Sequence, residues 1–172
     1  GEDFNEVVFE DIVVPKDRIV GEAGNGWAQV TSELAYERSG PERFLSAFRV
    51  FVELVRFCGP EPTQYQATVI GRIASHIMTL RRMSISVAGM LESGKDVVVE
   101  AALVKELGNN FEKLLPELAR VVGSDGFSDF SRDGDLFRRT IEDTMLLSPS
   151  FTLRGGTREI LRGVIARGLG LR

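Results

Sequence analysis

Apolar residues recur at helical steps along most of this chain. Trp27, Val30 and Leu34 fall three and four apart and make one stripe of a helix that follows the glycine-rich stretch Gly21 to Gly26, with Asn25 as its N-cap. One step further the stripe is continued by a carboxylate, Glu37, followed at once by Arg38. Pro41 then either kinks one long helix or starts a second, whose stripe is Phe44, Phe48, Phe51 and Val55. Cys58-Gly59-Pro60-Glu61-Pro62 ends it. Ile70, Ile73, Ile77, Leu80, Val87 and Leu91 predict a helix over about 64–91. Ala101, Val104, Leu107, Phe111, Leu114, Leu118 and Val122 predict another over 97–122, bent at Pro116. A glycine loop at Gly123-Ser124-Asp125-Gly126 precedes a shorter helix over 136–147, and Gly155-Gly156-Thr157 opens a last one over 158–168. Long, well-patterned helices on short connections predict a mainly α protein, an antiparallel four-helix-type bundle.

Residues 4–20 follow another rhythm. Phe4, Val7-Val8-Phe9 and Ile12-Val13-Val14 predict two short β-strands, and Pro15-Lys16-Asp17 a turn after them. Two strands do not make a stable sheet alone. The expectation is therefore a truncated β-domain over 1–24 and a helical domain over 25–172; a start at Gly1-Glu2-Asp3 without methionine agrees with truncation.

Composition narrows the class without naming it. The 172 residues suffice for one sizeable core, and 43% apolar with 27% charged residues is ordinary for a globular protein. A net charge of -4 gives no general electrostatic case for nucleic acid or a membrane surface. The single cysteine, Cys58, excludes an intramolecular disulfide and fits a reducing compartment. No CxxC, paired-histidine metal spacing, Walker loop or GxSxG is present. His76 reads as a core or boundary histidine, Arg81-Arg82 as a solvated face, and Cys58 as a small helix-end residue.

Two places carry chemistry, and each has two readings. Glu37 on an apolar stripe is either a functional carboxylate or one half of a Glu-Arg pair near a helix end; on spacing alone the pair is the commoner case. In Gly155-Gly156-Thr157-Arg158-Glu159-Ile160, the glycines allow close backbone approach and Thr157 stands at an N-cap whose free N–H groups can receive an anion. The same glycines could serve tight packing only.

Both ends of the chain resemble the acyl-CoA dehydrogenases. Residues Phe4-Asn5-Glu6-Val7-Val8-Phe9-Glu10-Asp11-Ile12-Val13-Val14-Pro15, with Gly21-Glu22 and Gly26-Trp27, are similar to the end of the family's central β-domain. The run from Gly155 to Arg162, closing in Leu169-Gly170-Leu171-Arg172, is similar to its C-terminal signature. The resemblance implies a flavoprotein that oxidises an acyl-CoA thioester to the trans-2-enoyl-CoA. A glutamate takes the pro-R α-proton, the β-hydride passes to N5 of FAD, and electron-transfer flavoprotein is the electron acceptor. A homotetramer or α2β2 heterotetramer is implied, in the bacterial cytoplasm or the mitochondrial matrix. The base must sit in a site that excludes water.

Members of the family place that glutamate in one of two positions. The commoner, directly before the terminal Gly-Thr, is Gly155 here. The other, used by isovaleryl-CoA and long-chain enzymes on the first bundle helix before an arginine, is Glu37. The resemblance thus implies Glu37 as base, Arg38 as its positioning partner, and Thr157 and Glu159 as FAD contacts. Three positions depart from the family: Val55 stands for a flavin-binding arginine, Cys58 for a phenylalanine, and Arg120 for a glutamine. These departures resemble members whose FAD sites are shared by two different subunits, as in actinobacterial sterol side-chain degradation. The alternatives are a non-catalytic partner subunit or assembly bundle, and a flavin monooxygenase on the same fold, which needs no α-proton base.

Overall fold

The computed structural model of the chain describes residues 5–124 and 132–171, which sort into two compact units, 1–32 and 33–172. In the first, an extended segment leads through a 3-10 turn at Lys16–Arg18 to helix α1 (Gly26–Ser39). Gln29 Nε2 donates to Val20 O at 3.0 Å and ties that segment to the first turns of α1. The two expected strands do not form: among the described residues there is no strand at all. Val7, Val8, Phe9, Ile12, Val13 and Val14 are exposed, and with no neighbouring strand to complete a ladder the extended backbone stays unpaired. Phe4 lies outside the described residues. Trp27, 82% exposed, and Val30 do not bury the stripe expected of them.

The second unit holds the last turns of α1 and five further helices. Pro41 divides rather than kinks: it opens a 3-10 turn, Pro41–Arg43, after which α2 runs Phe48–Cys58. Helix α3 (Gln64–Glu92) starts on a capping box, with Gln66 N donating to Thr63 Oγ1 and Thr63 N to Gln66 Oε1. Helix α4 (Val98–Gly123) is the centre of the bundle and packs against α2, α3, α5 (Arg132–Phe151) and α6 (Arg158–Gly168). Pro116 lies inside α4 without ending it. Helix α5 extends well beyond the predicted 136–147, and the Asp125-Gly126 half of the predicted glycine loop lies outside the described residues.

Phe44, Leu54, Ile73, Val104, Leu115 and Phe137 form the centre of the core. Burying such a side chain stabilises the fold by about 1.5–3 kcal/mol each. Of the expected stripe members, Phe48, Val55 and Leu107 are exposed instead. Gly108 is where α4 meets the Pro41–Arg43 turn: a Cβ there would stand 2.3 Å from Arg43 O. Only glycine allows the turn this close, and the closeness brings Arg43 into the bundle. No helix among the described residues is long and apolar enough to cross a membrane.

Candidate active site

Glu37 lies in the last turn of α1, and the break at Gly40-Pro41 sends the chain back across it. Arg43, only 8% exposed, returns from that turn to hold Glu37 twice. Its Nη2 donates to Glu37 Oε1, and its Nε donates to Glu37 O at 2.9 Å. The Glu37 side chain is 37% exposed, so it is half open to solvent rather than buried on an apolar stripe. Arg38 turns the other way. It is buried, and its Nε donates to Gly155 O at 2.9 Å. Burial draws the Arg38 guanidinium below its usual range, against the opposing pull of the Glu37 carboxylate.

Gly155 and Gly156 both have left-handed backbone, φ 68° and 107°, a conformation that glycine adopts freely. A Cβ at Gly155 would stand 3.2 Å from Glu37 Oε1, 3.7 Å from Arg38 Cγ and 3.7 Å from Lys105 Cε. One at Gly156 would stand 3.5 Å from Arg38 Nη2. The two chemistry-bearing stretches of the sequence are thus neighbours in space.

Thr157 is the N-cap of α6 in extended conformation, and its side chain caps none of the helix's N–H groups. Its hydroxyl bonds Glu159 instead. Glu159 also accepts from its own backbone N–H, and the two bonds together, that N–H first, hold its carboxyl below the usual range. Helix α6 is fixed to α4 by Glu106, which accepts from Arg158 and from Arg162 Nε at 3.0 Å. Burial alone would raise the Glu106 carboxyl, but the two arginines outweigh it and the net displacement is downward.

Sequence reasoning did not find Arg43, nor the polar file inside α4. Lys105, Asn109 and Glu112 are fully buried at spacings of four and three, so they share a face. Their signal was their alternation with Ala101, Val104, Phe111 and Leu115, which makes α4 buried nearly all round. Lys105 Nζ donates to Phe151 O at 2.9 Å and to Asn109 Oδ1. Burial first, then the Arg43 and Arg154 charges, pull its ammonium down to about 8 against Glu112 and Glu37. Glu112 accepts from Ser46 N at 2.8 Å, and Arg154 Nη2 lies 3.6 Å from its other oxygen. Burial pushes the Glu112 carboxyl up, with the Ser46 bonds and the two cations opposing.

The three departing positions lie elsewhere. Val55 is exposed on α2, Arg120 bonds Glu117 on the face of α4, and burial pushes the Cys58 thiol up, away from reactivity. His76 stacks on Phe111 with centroids 5.6 Å apart, at the core boundary.

The fold and site define an all-helical bundle domain that sets an arginine-held carboxylate beside a glycine pair at a helix start. The chain belongs to the acyl-CoA dehydrogenase C-terminal domain family, whose family model matches residues 24–170. It is 27% identical to acyl-CoA dehydrogenase FadE34 of Mycobacterium tuberculosis, over 96% of this chain and 22% of that protein. It is 28% identical to acyl-CoA dehydrogenase IpdE1 of Mycolicibacterium smegmatis, over 98% of this chain and 43% of that one. The chain therefore spans less than half the length of both curated relatives. A solved acyl-CoA dehydrogenase from Geobacillus kaustophilus has the same fold, with TM-score 0.71 at 21% identity, covering 94% of this chain and 43% of its own.

Proposed function

We propose that this chain is the C-terminal part of an FAD-dependent acyl-CoA dehydrogenase in which Glu37 removes the α-proton of an acyl-CoA thioester. Residues 1–24 are read as the end of a β-domain and 25–172 as the helical domain; the family match starting at residue 24 supports this. The observation that carries the catalytic reading is the closeness of Glu37 Oε1 to the Gly155 Cβ position, 3.2 Å. A carboxylate from either of the family's two base positions would reach the same point, and here only Glu37 supplies one.

The chain's own residues then divide the work. Arg43 aims the carboxylate by bonding both its Oε1 and the main-chain carbonyl of Glu37. Arg38 fixes Gly155 O and with it the backbone beside the base. The glycine pair has no side chains of its own, so a thioester seated over it would stand against Glu37, and its bulk would strip water from the half-open carboxylate. Thr157 and the first N–H groups of α6 offer donors and the Glu159 carboxylate an acceptor, a set suited to the polar parts of the flavin cofactor that would hold it. When bound, FAD supplies the acceptor for the β-hydride. The electrons would leave to an electron-transfer flavoprotein.

In the full-length protein, Glu37→Gln should keep its flavin yet lose acyl-CoA-dependent bleaching by about a hundredfold or more. Full retained turnover would sink the assignment. A second reading, a partner subunit that binds no flavin of its own, is favoured by one observation: the exposed aliphatic Val55 where the family carries a flavin-binding arginine. Flavin content of the protein purified alone and with its partner separates the two.

A further inference from the structure

Lys105 is the one buried lysine in the site, at 0% exposure. It meets the α5–α6 connection at both ends. Its Nζ donates to Phe151 O at 2.9 Å, at the last residue of α5. Its Cε lies 3.7 Å from the Gly155 Cβ position, the point that Glu37 Oε1 approaches to 3.2 Å. Burying an ammonium is costly, and an apolar side chain would fill the same space without that cost. The charged groups acting on it are Glu37 from α1, Arg43 from the 3-10 turn, Arg154 from the connection and Glu112 from α4 itself.

We propose that Lys105 is a positioning residue of the Glu37 site: its buried ammonium clamps the α5–α6 connection to α4 and stands as a cation beside the base. The proposal rests on the reading of Glu37 as that base. Three cations border the carboxylate, and the two arginines keep their charge at any working pH. Lys105, drawn down to about 8, does not. Below that pH a third positive charge stands beside the carboxylate. Above it that charge is gone, while the neutral amine still has two N–H groups for Phe151 O and Asn109 Oδ1.

The test uses full-length protein carrying ε-13C-lysine, with the Lys105 resonance assigned by its loss in Lys105→Met. Its titration midpoint should lie near 8 in the wild type and fall by about 0.5 pH or more in Glu37→Gln, where the stabilising charge is gone. An unmoved midpoint overturns the proposal; if Lys105→Met does not fold, the loss of the resonance in Lys105→Arg, which keeps a cation at the position, assigns it instead. In stopped-flow flavin reduction, the wild-type rate should rise about threefold or more through pH 8 with KM little changed. Lys105→Met should lose that inflection, and amides of residues 152–157 should exchange about tenfold faster. A wild-type profile retained in Lys105→Met also overturns it. The two readings fail separately. If Glu37→Gln still reduces flavin, the base assignment fails whatever Lys105 does; if Glu37→Gln is dead and the Lys105 midpoint is unmoved, only the Lys105 proposal fails.

Discussion

Glu37 Oε1 and the Cβ position of Gly155 are 3.2 Å apart, though 118 positions separate the two residues in sequence. Two buried cations hold them together: Arg43 on the carboxylate and Arg38 on the Gly155 carbonyl. The carboxylate thus occupies space that a side chain at 155 would need. A glutamate at one position and a glycine at the other are two sides of one arrangement.

If Glu37 is the base, as proposed, this arrangement makes the base transferable. Glu37→Ala should reduce acyl-CoA-dependent flavin reduction by about 10²–10⁴. Adding Gly155→Glu returns a carboxylate to the vacated space within reach of Arg43, and at least tenfold of the loss should be regained. Gly155 has φ 68°, so any other residue there is strained by about 1–2 kcal/mol. Urea melts should show that cost in the double variant. A double variant that binds FAD yet is no faster than Glu37→Ala would mean the two positions do not serve one site.

Arg43 should matter to both stability and rate. It is buried, and it bonds the carboxylate and the main-chain carbonyl of the same residue. Arg43→Met should lower the unfolding free energy by about 2 kcal/mol, the usual cost of losing charge-assisted bonds. Arg43→Lys, which keeps the charge but not the fork, should fall between. A urea midpoint for Arg43→Met equal to wild type would show that the pair contributes nothing net.

The helices were legible in the sequence because their apolar periods run long and their breaks are glycines and prolines; α6 falls on its predicted residues, and α3 within one. The strands were not, because a strand is defined by a partner that the period of two does not supply. The direction in which charged residues point was equally hidden. Adjacency suggested that Arg38 serves Glu37, but successive helix residues diverge by about 100°. Arg38 bonds Gly155 O, and Arg43, brought back by the Pro41 turn and admitted by Gly108, bonds the Glu37 carboxylate. Lys105, Asn109 and Glu112 went unseen because an apolar-stripe reading passes over polar residues between the stripe's own members.

Glu106 should give α6 an acid-sensitive hold. Its carboxyl is displaced downward, so the folded chain favours the carboxylate more than the unfolded chain does. That stabilisation is complete above the ordinary glutamate range and is lost as pH falls through the folded value. Arg162 is largely exposed, so near neutrality Glu106→Gln should cost only about 1 kcal/mol. The gap between wild type and variant in chemical denaturation should close below about pH 4. A gap that persists in acid would mean packing rather than charge fixes the helix.

Glu112, six residues further along the same helix, should slope the other way. Its carboxyl is displaced upward by burial, so the folded chain keeps its proton to higher pH than the unfolded chain. Stability contributed at this position is therefore fully present below the ordinary glutamate value, about 4.3, and is lost as pH rises through the higher folded value. Glu112→Gln keeps an oxygen for Ser46 N and carries no charge to bury. Relative to wild type, it should gain about 1 kcal/mol between pH 4 and pH 7. A difference constant across that range would show that Ser46, Arg154 and Lys105 together offset the full cost of burying the carboxylate. Glu106 and Glu112 lie on one helix with arginines near both; what separates them is that Glu106 has two arginines in hydrogen-bond contact, whereas the nearest to Glu112 stands 3.6 Å away. Opposite pH slopes for the two glutamines would make direct contact, rather than nearby charge, the quantity that decides which buried carboxylate stabilises the fold.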